Sequence, residues 1–223
     1  MQATIMPFSF FLVFPALPRF TKKDVDECNI VEDAASLCDA IRAVFFLSRS
    51  IRKERTLWLS FAADRALVRM AGESLRYLGP DERSTLMLVD KAAGTLKSNP
   101  ASWVESTPGM ACRAGIDPGS ALALVASERP GLAIVTPRFM ANAPAGQEAI
   151  GFPPELPALA AGRGIVLAMA LDGSPVASWA GASPASSRPE QLINAEVNLC
   201  TRSPTLASEI LAINLIEDNA RAE

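Results

Sequence analysis

"GIVLAMAL" (residues 164–171) is the stretch that decides the fold class. It is a continuous apolar run, without the alternation of a strand that has one wet face. Strands buried on both faces look like this, and a sheet buried on both faces is one covered by helices. "GLAIVT" (131–136) repeats the pattern, and "FSFFLVF" (8–14) reads as a third buried strand. "TLWLSF" (56–61) adds a fourth, bounded by polar residues.

Helical patterns fall between these runs. Over residues 30–53, Ile30, Ala34, Leu37, Ile41, Val44, Phe45 and Ile51 recur at nearly 3.6-residue spacing, which predicts an amphipathic helix. Its far end carries Arg49, Arg52 and Lys53, followed by Arg55, where cations complement the dipole. "ALVRM" (66–70) and "SLRYL" (74–78) flank Gly72 and predict a short hairpin. Toward the end, "SSRPEQLINA" (186–195) reads as a short helix and "EVNLC" (196–200) as a strand. A closing helix over 203–219 starts at Ser203 and Pro204. This alternation predicts an α/β fold with a mostly parallel sheet, in a single domain over residues 1–223, with a long Pro/Ala-rich loop at 137–163.

Composition removes several chemistries. The chain has 223 residues and no histidine, which excludes the Ser-His-Asp triad, the Cys-His dyad and any zinc site that uses His. Cys28, Cys38, Cys112 and Cys200 are scattered, with no C-x-x-C pair, so they read as buried thiols in a reducing compartment, with no metal site. The net charge of −3 argues against broad nonspecific nucleic-acid binding and leaves room for a local basic patch. "IMPFSFFLVFPALP" (5–18) contains Pro7, Pro15 and Pro18 and falls short of the roughly 20 residues that a membrane helix needs. No Lys or Arg precedes it, so it makes a poor signal peptide, and a cytoplasmic, membrane-free protein is expected. Neither phosphate-cradling glycine loop is present, nor a G-x-S-x-G elbow.

"SLRYLGPDERS" (74–84) is unusual in its density of charge around one Gly-Pro corner. A helix start explains much of it: Gly79 as N-cap, Pro80 at N1, and Asp81 and Glu82 at N2 and N3, where carboxylates favour the dipole. Leu86, Val89, Ala93 and Leu96 continue as an apolar stripe. Arg76 and Arg83 are left over, because a cation in the first turn of a helix is mildly unfavourable. Either they face a polyanion, or they join carboxylates in a network that stiffens the corner.

At this point the chain resembles a known family. "FFLSRSIR" (45–52), "LRYLGPDERS" (75–84) and "TPG" (107–109) match, in order and at similar spacing, motifs of the archaeal-type tRNA pseudouridine-54 N1-methyltransferases of the SPOUT superfamily. The resemblance is specific over residues 40–110 and fades beyond Gly109. "EVNLCTRSPTLASEILAI" (196–213) looks like that family's knot segment, with Cys200 in place of a glycine. Ala168, Met169 and Ala170 stand where the family has G-D-H.

The resemblance implies a SPOUT-like fold in which roughly 197–216 threads through the loop after the 164–171 strand to form a C-terminal trefoil knot. It implies S-adenosylmethionine as cofactor, bound near Val135, Ala168, Leu199, Cys200 and Ile210. It implies tRNA as partner, with Asp81 as base or base-orienter and Arg52, Arg76 and Arg83 on the RNA. Residues 1–110 would be the RNA-facing half and 111–223 the cofactor and knot half. A homodimer would use the face of Leu206, Ile210, Ile213 and Leu215. The departures in the knot motifs keep a second reading open: a catalytically degenerate member acting as an RNA-binding or interaction module.

Overall fold

β1 (Phe8–Phe14) runs through the interior of an eight-stranded sheet, and every one of its residues is buried. The structure, a computed structural model, describes residues 8–46, 51–129, 133–139, 164–171, 192–197 and 205–222. The remaining elements are α1 (Lys22–Asp26), α2 (Glu32–Phe45), β2 (Thr56–Phe61), β3 (Ala66–Ala71), α3 (Glu82–Leu96), β4 (Val104–Thr107), β5 (Met110–Ala114), α4 (Pro118–Glu128), β6 (Ala133–Phe139), β7 (Ile165–Ala170), β8 (Leu192–Val197) and α5 (Leu206–Ala222). The strand order is β4-β5-β3-β2-β1-β7-β6-β8.

The α/β class predicted from the apolar runs is the one observed. β2, β1, β7, β6 and β8 are mutually parallel. β3, β5 and β4 extend the sheet antiparallel on one side, so the mostly parallel sheet that was expected is mixed in full. Side-chain alternation splits β1 between two cores. Phe10, Leu12 and Phe14 pack with Leu37, Ile41 and Val44 of α2 and with Ile210 and Ile213 of α5. Phe11 and Val13 face Ala121, Leu122 and Val125 of α4. A strand clad on both faces has no place for a polar residue except Ser9, which is what made its sequence legible.

Several expectations are corrected. The predicted hairpin of 66–70 with 74–78 does not form. β3 lies instead between β2 and β5, and residues 74–78 carry no strand. The helix expected over 30–53 stops at Phe45. Residues 51–55 form a turn into β2, drawn inward by Arg52 and Arg55. β8 takes residues 192–195 from the predicted short helix, because β6 offers them an edge on which Ile193 pairs with Val135. β6 runs to Phe139, three residues into the predicted loop; 140–163 lie outside the described residues. Cys38 and Cys112 are buried as expected, but Cys28 is exposed. Among the described residues no helix is long and apolar enough to cross a membrane.

α5 forms where the closing helix was expected. Thr205, not Ser203, caps it by exchanging hydrogen bonds with Ser208. Its apolar stripe is already used within the chain: Leu206, Ile210 and Ile213 are buried in the core with α2, so this face is not free for a dimer. Only Leu215 of that set is exposed, together with Leu211.

Half-buried Glu209 in the first turn of α5 has its carboxyl pushed up to about 7 by desolvation, from an ordinary 4.5. The folded chain therefore holds a proton there that the unfolded chain releases between these values. Stability contributed by this group is present below about pH 4.5 and declines as pH rises to about 7. Glu209→Gln is expected to remove that decline and to raise the melting temperature at pH 8, as read by thermal melts across pH 4.5–8. A variant whose pH profile overlays the parent's would refute the assignment.

Candidate functional site

The corner at residues 72–84 is held by two other segments. Gly72 lies on the turn before β2: its N–H donates to the Arg55 carbonyl at 2.8 Å, and a Cβ here would meet the Arg52 carbonyl oxygen at 2.6 Å. On the other side, the β4–β5 turn braces the segment. Ala71 N–H donates to the Gly109 carbonyl at 2.8 Å and Arg76 N–H to the Pro108 carbonyl at 3.2 Å. Gly109 has φ +82° and sits against the Leu75 backbone so closely that a Cβ would fall 2.4 Å from the Leu75 Cα. The described parts of the three sequence motifs approach one another here: Arg52, the last residue of "FFLSRSIR", lies against Gly72, and "LRYLGPDERS" and "TPG" touch through Arg76 and Pro108, while 47–50 lie outside the described residues.

The helix start differs from the predicted one by two residues. Asp81, not Gly79, is the N-cap of α3, with extended backbone and its Oδ1 accepting from Ser84 N–H at 2.7 Å. Glu82 is then the first helical residue. Ser84 completes the knot of bonds: its Oγ accepts from Gly79 N–H at 2.9 Å and donates to the Asp81 carbonyl at 3.0 Å. Sequence reasoning gave the cap to Gly79 and passed over Asp81, although aspartate is among the favoured N-cap residues. The Ser84 N–H bond leads in holding the Asp81 carboxyl below its usual value, so it is ionised at neutral pH. The Ser84 side chain contributes as well, and the Asp81 side chain is exposed.

The arginines divide. Arg76 is exposed and makes no side-chain hydrogen bond or ion pair among the described residues. Arg83 is also exposed but pairs with Asp26 at 2.7 Å, joining α3 to α1. Arg52 is largely buried and bound to Asp218 of α5, with Glu54 at 4.0 Å. One exposed residue that the sequence reading passed over also stands on the corner: Tyr77, with φ +68°.

The other predicted residues do not converge. Val135 and Ile210 share one core cluster, and Ala168 lies on the opposite face of the sheet. Val135 and Ala168 are mid-strand, with neighbouring strands in register beside them. Neither these two nor Ile210 presents a polar side-chain atom to a cofactor. Leu199 and Cys200 lie outside the described residues. A groove of about 580 Å³ brings the two halves of the chain together beside the corner: it is lined by Arg42 of α2, by Phe46 just after that helix and by Pro80, together with Thr205, Ser208 and Leu211.

Comparison with known proteins follows this geometry. Over 75 residues the chain is 39% identical to the tRNA (pseudouridine(54)-N(1))-methyltransferase of Natronomonas pharaonis, covering 30% of this chain and 37% of that protein. It is 40% identical over 78 residues to the enzyme of that name from Haloferax volcanii, covering 34% and 39%. With that from Methanocorpusculum labreanum it shares 32% identity over 101 residues, or 42% and 48%. The relatives are tRNA (pseudouridine(54)-N(1))-methyltransferases. The match spans less than half the length of each of these curated relatives. No family model matches the chain.

Proposed function

We propose that the chain methylates N1 of pseudouridine in tRNA, at position 54, with S-adenosylmethionine as donor. One observation carries this reading. The corner at 72–84 presents an ionised, exposed Asp81 and an Arg76 that has no side-chain partner among the described residues, and through Pro80 it borders the groove against α5. In this reading residues 1–110 form the RNA-facing half and 111–223 the cofactor half, joined by one sheet through β1 and β7. Residues 197–216 thread a trefoil knot, and the cofactor is held by backbone around Leu199 and Cys200. S-adenosylmethionine, when bound, supplies an electrophilic methyl group. A homodimer would use Leu211 and Leu215, the apolar side chains that α5 leaves exposed. A cytoplasmic location follows from tRNA as substrate.

Asp81 is suited to a limited role. A carboxylate held below its usual range is a weak base, so it fits as acceptor of the N1–H hydrogen bond, orienting the base. Arg76 is free to meet a phosphate, whereas Arg83 and Arg52 would have to leave carboxylates to do so.

The test is methyl transfer to tRNA carrying pseudouridine at position 54, followed by mass analysis of the nucleoside. Absence of N1-methylpseudouridine would remove the reading. Asp81→Asn keeps an equally good cap and removes the charge, so it is expected to lower the transfer rate by tenfold or more while the melting temperature holds. Asp81→Ala should in addition cost about 0.5–2 kcal/mol of stability. Arg76→Ala is expected to weaken tRNA binding and to reduce the salt slope of log affinity by nearly one. An unchanged slope would take Arg76 off the RNA.

A further inference from the structure

We infer that Tyr77 is a stacking platform for an unpaired base of the bound RNA, an assignment that rests on the RNA reading above. Tyr77 is the sole tyrosine of the chain, and it is 72% exposed. Its neighbours Leu75 and Leu78 are both buried, so only Arg76 and Tyr77 stand out of the turn. The backbone on either side is pinned by Arg76 N–H on the Pro108 carbonyl and Gly79 N–H on Ser84 Oγ. The ring therefore projects from a fixed base.

Folding gives no reason for an aromatic at this position. The φ of +68° is a left-handed conformation that glycine or asparagine adopts at lower cost than tyrosine. A side chain on left-handed backbone and mostly in solvent adds little to the fold and is placed to meet a ligand. The surroundings indicate which one. Lys91 Nζ lies over the ring, 5.7 Å from its centroid, and the residue's high exposure leaves ring surface accessible to a base. Arg76 is the adjacent residue in sequence and has no side-chain partner among the described residues. Glu73 and Asp90, also exposed, keep the neighbourhood from being broadly basic, which disfavours a phosphate-only surface. An accessible ring with one cation over it and one beside it matches a splayed nucleotide: base on the ring, phosphate on Arg76.

The experiment measures binding of two RNAs to the full chain. One is a hairpin of tRNA T-arm sequence with its seven-nucleotide loop, and the other is a fully paired duplex of the same length. Tyr77→Ala is expected to weaken the hairpin by roughly 5- to 150-fold and to leave the duplex unchanged, and Tyr77→Phe to retain the parent's affinity. Tyr77→Gly is expected to match Tyr77→Ala in binding but to melt no lower than the parent, since glycine relieves the left-handed strain. Equal hairpin affinity in parent and Tyr77→Ala would overturn the stacking assignment and leave the RNA reading standing. A parent that binds neither RNA would remove both.

Discussion

Replacing Arg55 with methionine is expected to destabilise the protein by about 3–5 kcal/mol, lowering the melting temperature by roughly 6–20 °C. Arg55 is fully buried and ties three parts of the chain together. Its guanidinium donates to the Phe8 carbonyl at 2.7 Å at the start of β1, to Asn214 Oδ1 at 3.0 Å, and to the Glu217 carboxylate on α5. Asn214 in turn donates to the Ala43 carbonyl of α2 at 2.8 Å. Methionine fills much of the same volume, so the loss is electrostatic: one buried ion pair, that of Arg55 with Glu217, and the hydrogen bond from Arg55 to the Phe8 carbonyl are removed. The double variant Arg55→Met with Glu217→Leu removes both charges and is expected to recover most of the stability. Urea melts of the two singles and the double decide the matter. A double no more stable than Arg55→Met alone would show that packing, not the ion pair, is what Arg55 contributes.

Gly109→Ala carries the second large effect, about 3 kcal/mol or more. Two costs combine in it. The φ of +82° is left-handed, where a Cβ is strained whatever the space around it. The same Cβ would fall 2.4 Å from the Leu75 Cα and N, and backbone cannot yield as a flexible side chain does. The displaced segment is the one that carries Arg76 and Tyr77, so tRNA affinity is expected to fall together with stability. Gly94, on α3, is a matched control: a Cβ there meets nothing within 4 Å, and alanine favours a helix interior, so Gly94→Ala should be neutral or stabilising. Melting curves and tRNA titrations of the two variants provide the check. If Gly109→Ala melts with the parent, the close approach is not rigid.

β1 and β7 could be read from sequence because burial on both faces forces a strand to be apolar throughout, a local property that pairing does not alter. The start of α3 was visible because Pro80, Asp81 and Glu82 can favour a helix start only by local means. The cap itself moved from Gly79 to Asp81 because Ser84 Oγ reaches back to Gly79 N–H, a side-chain bond that position statistics do not weigh. The partner of β3 was not legible. A strand's neighbour is chosen by a surface that exists only once β2 and β5 are in place. Nor was the fate of the arginines after α2. The sequence placed them at a helix end where cations complement the dipole, yet Arg52 and Arg55 turn inward because Asp218 and Glu217, more than 160 residues away, are carried to them by α5. The same docking buries Leu206, Ile210 and Ile213, which local periodicity alone could not assign to this chain rather than to a second copy. The sequence itself places Asp81 and Arg76 in the corner, and the Asp81 cap is a local bond to Ser84; tertiary contacts of Gly72 and Gly109 decided the path of the 71–76 backbone that carries Arg76, because backbone packed on backbone leaves little freedom there.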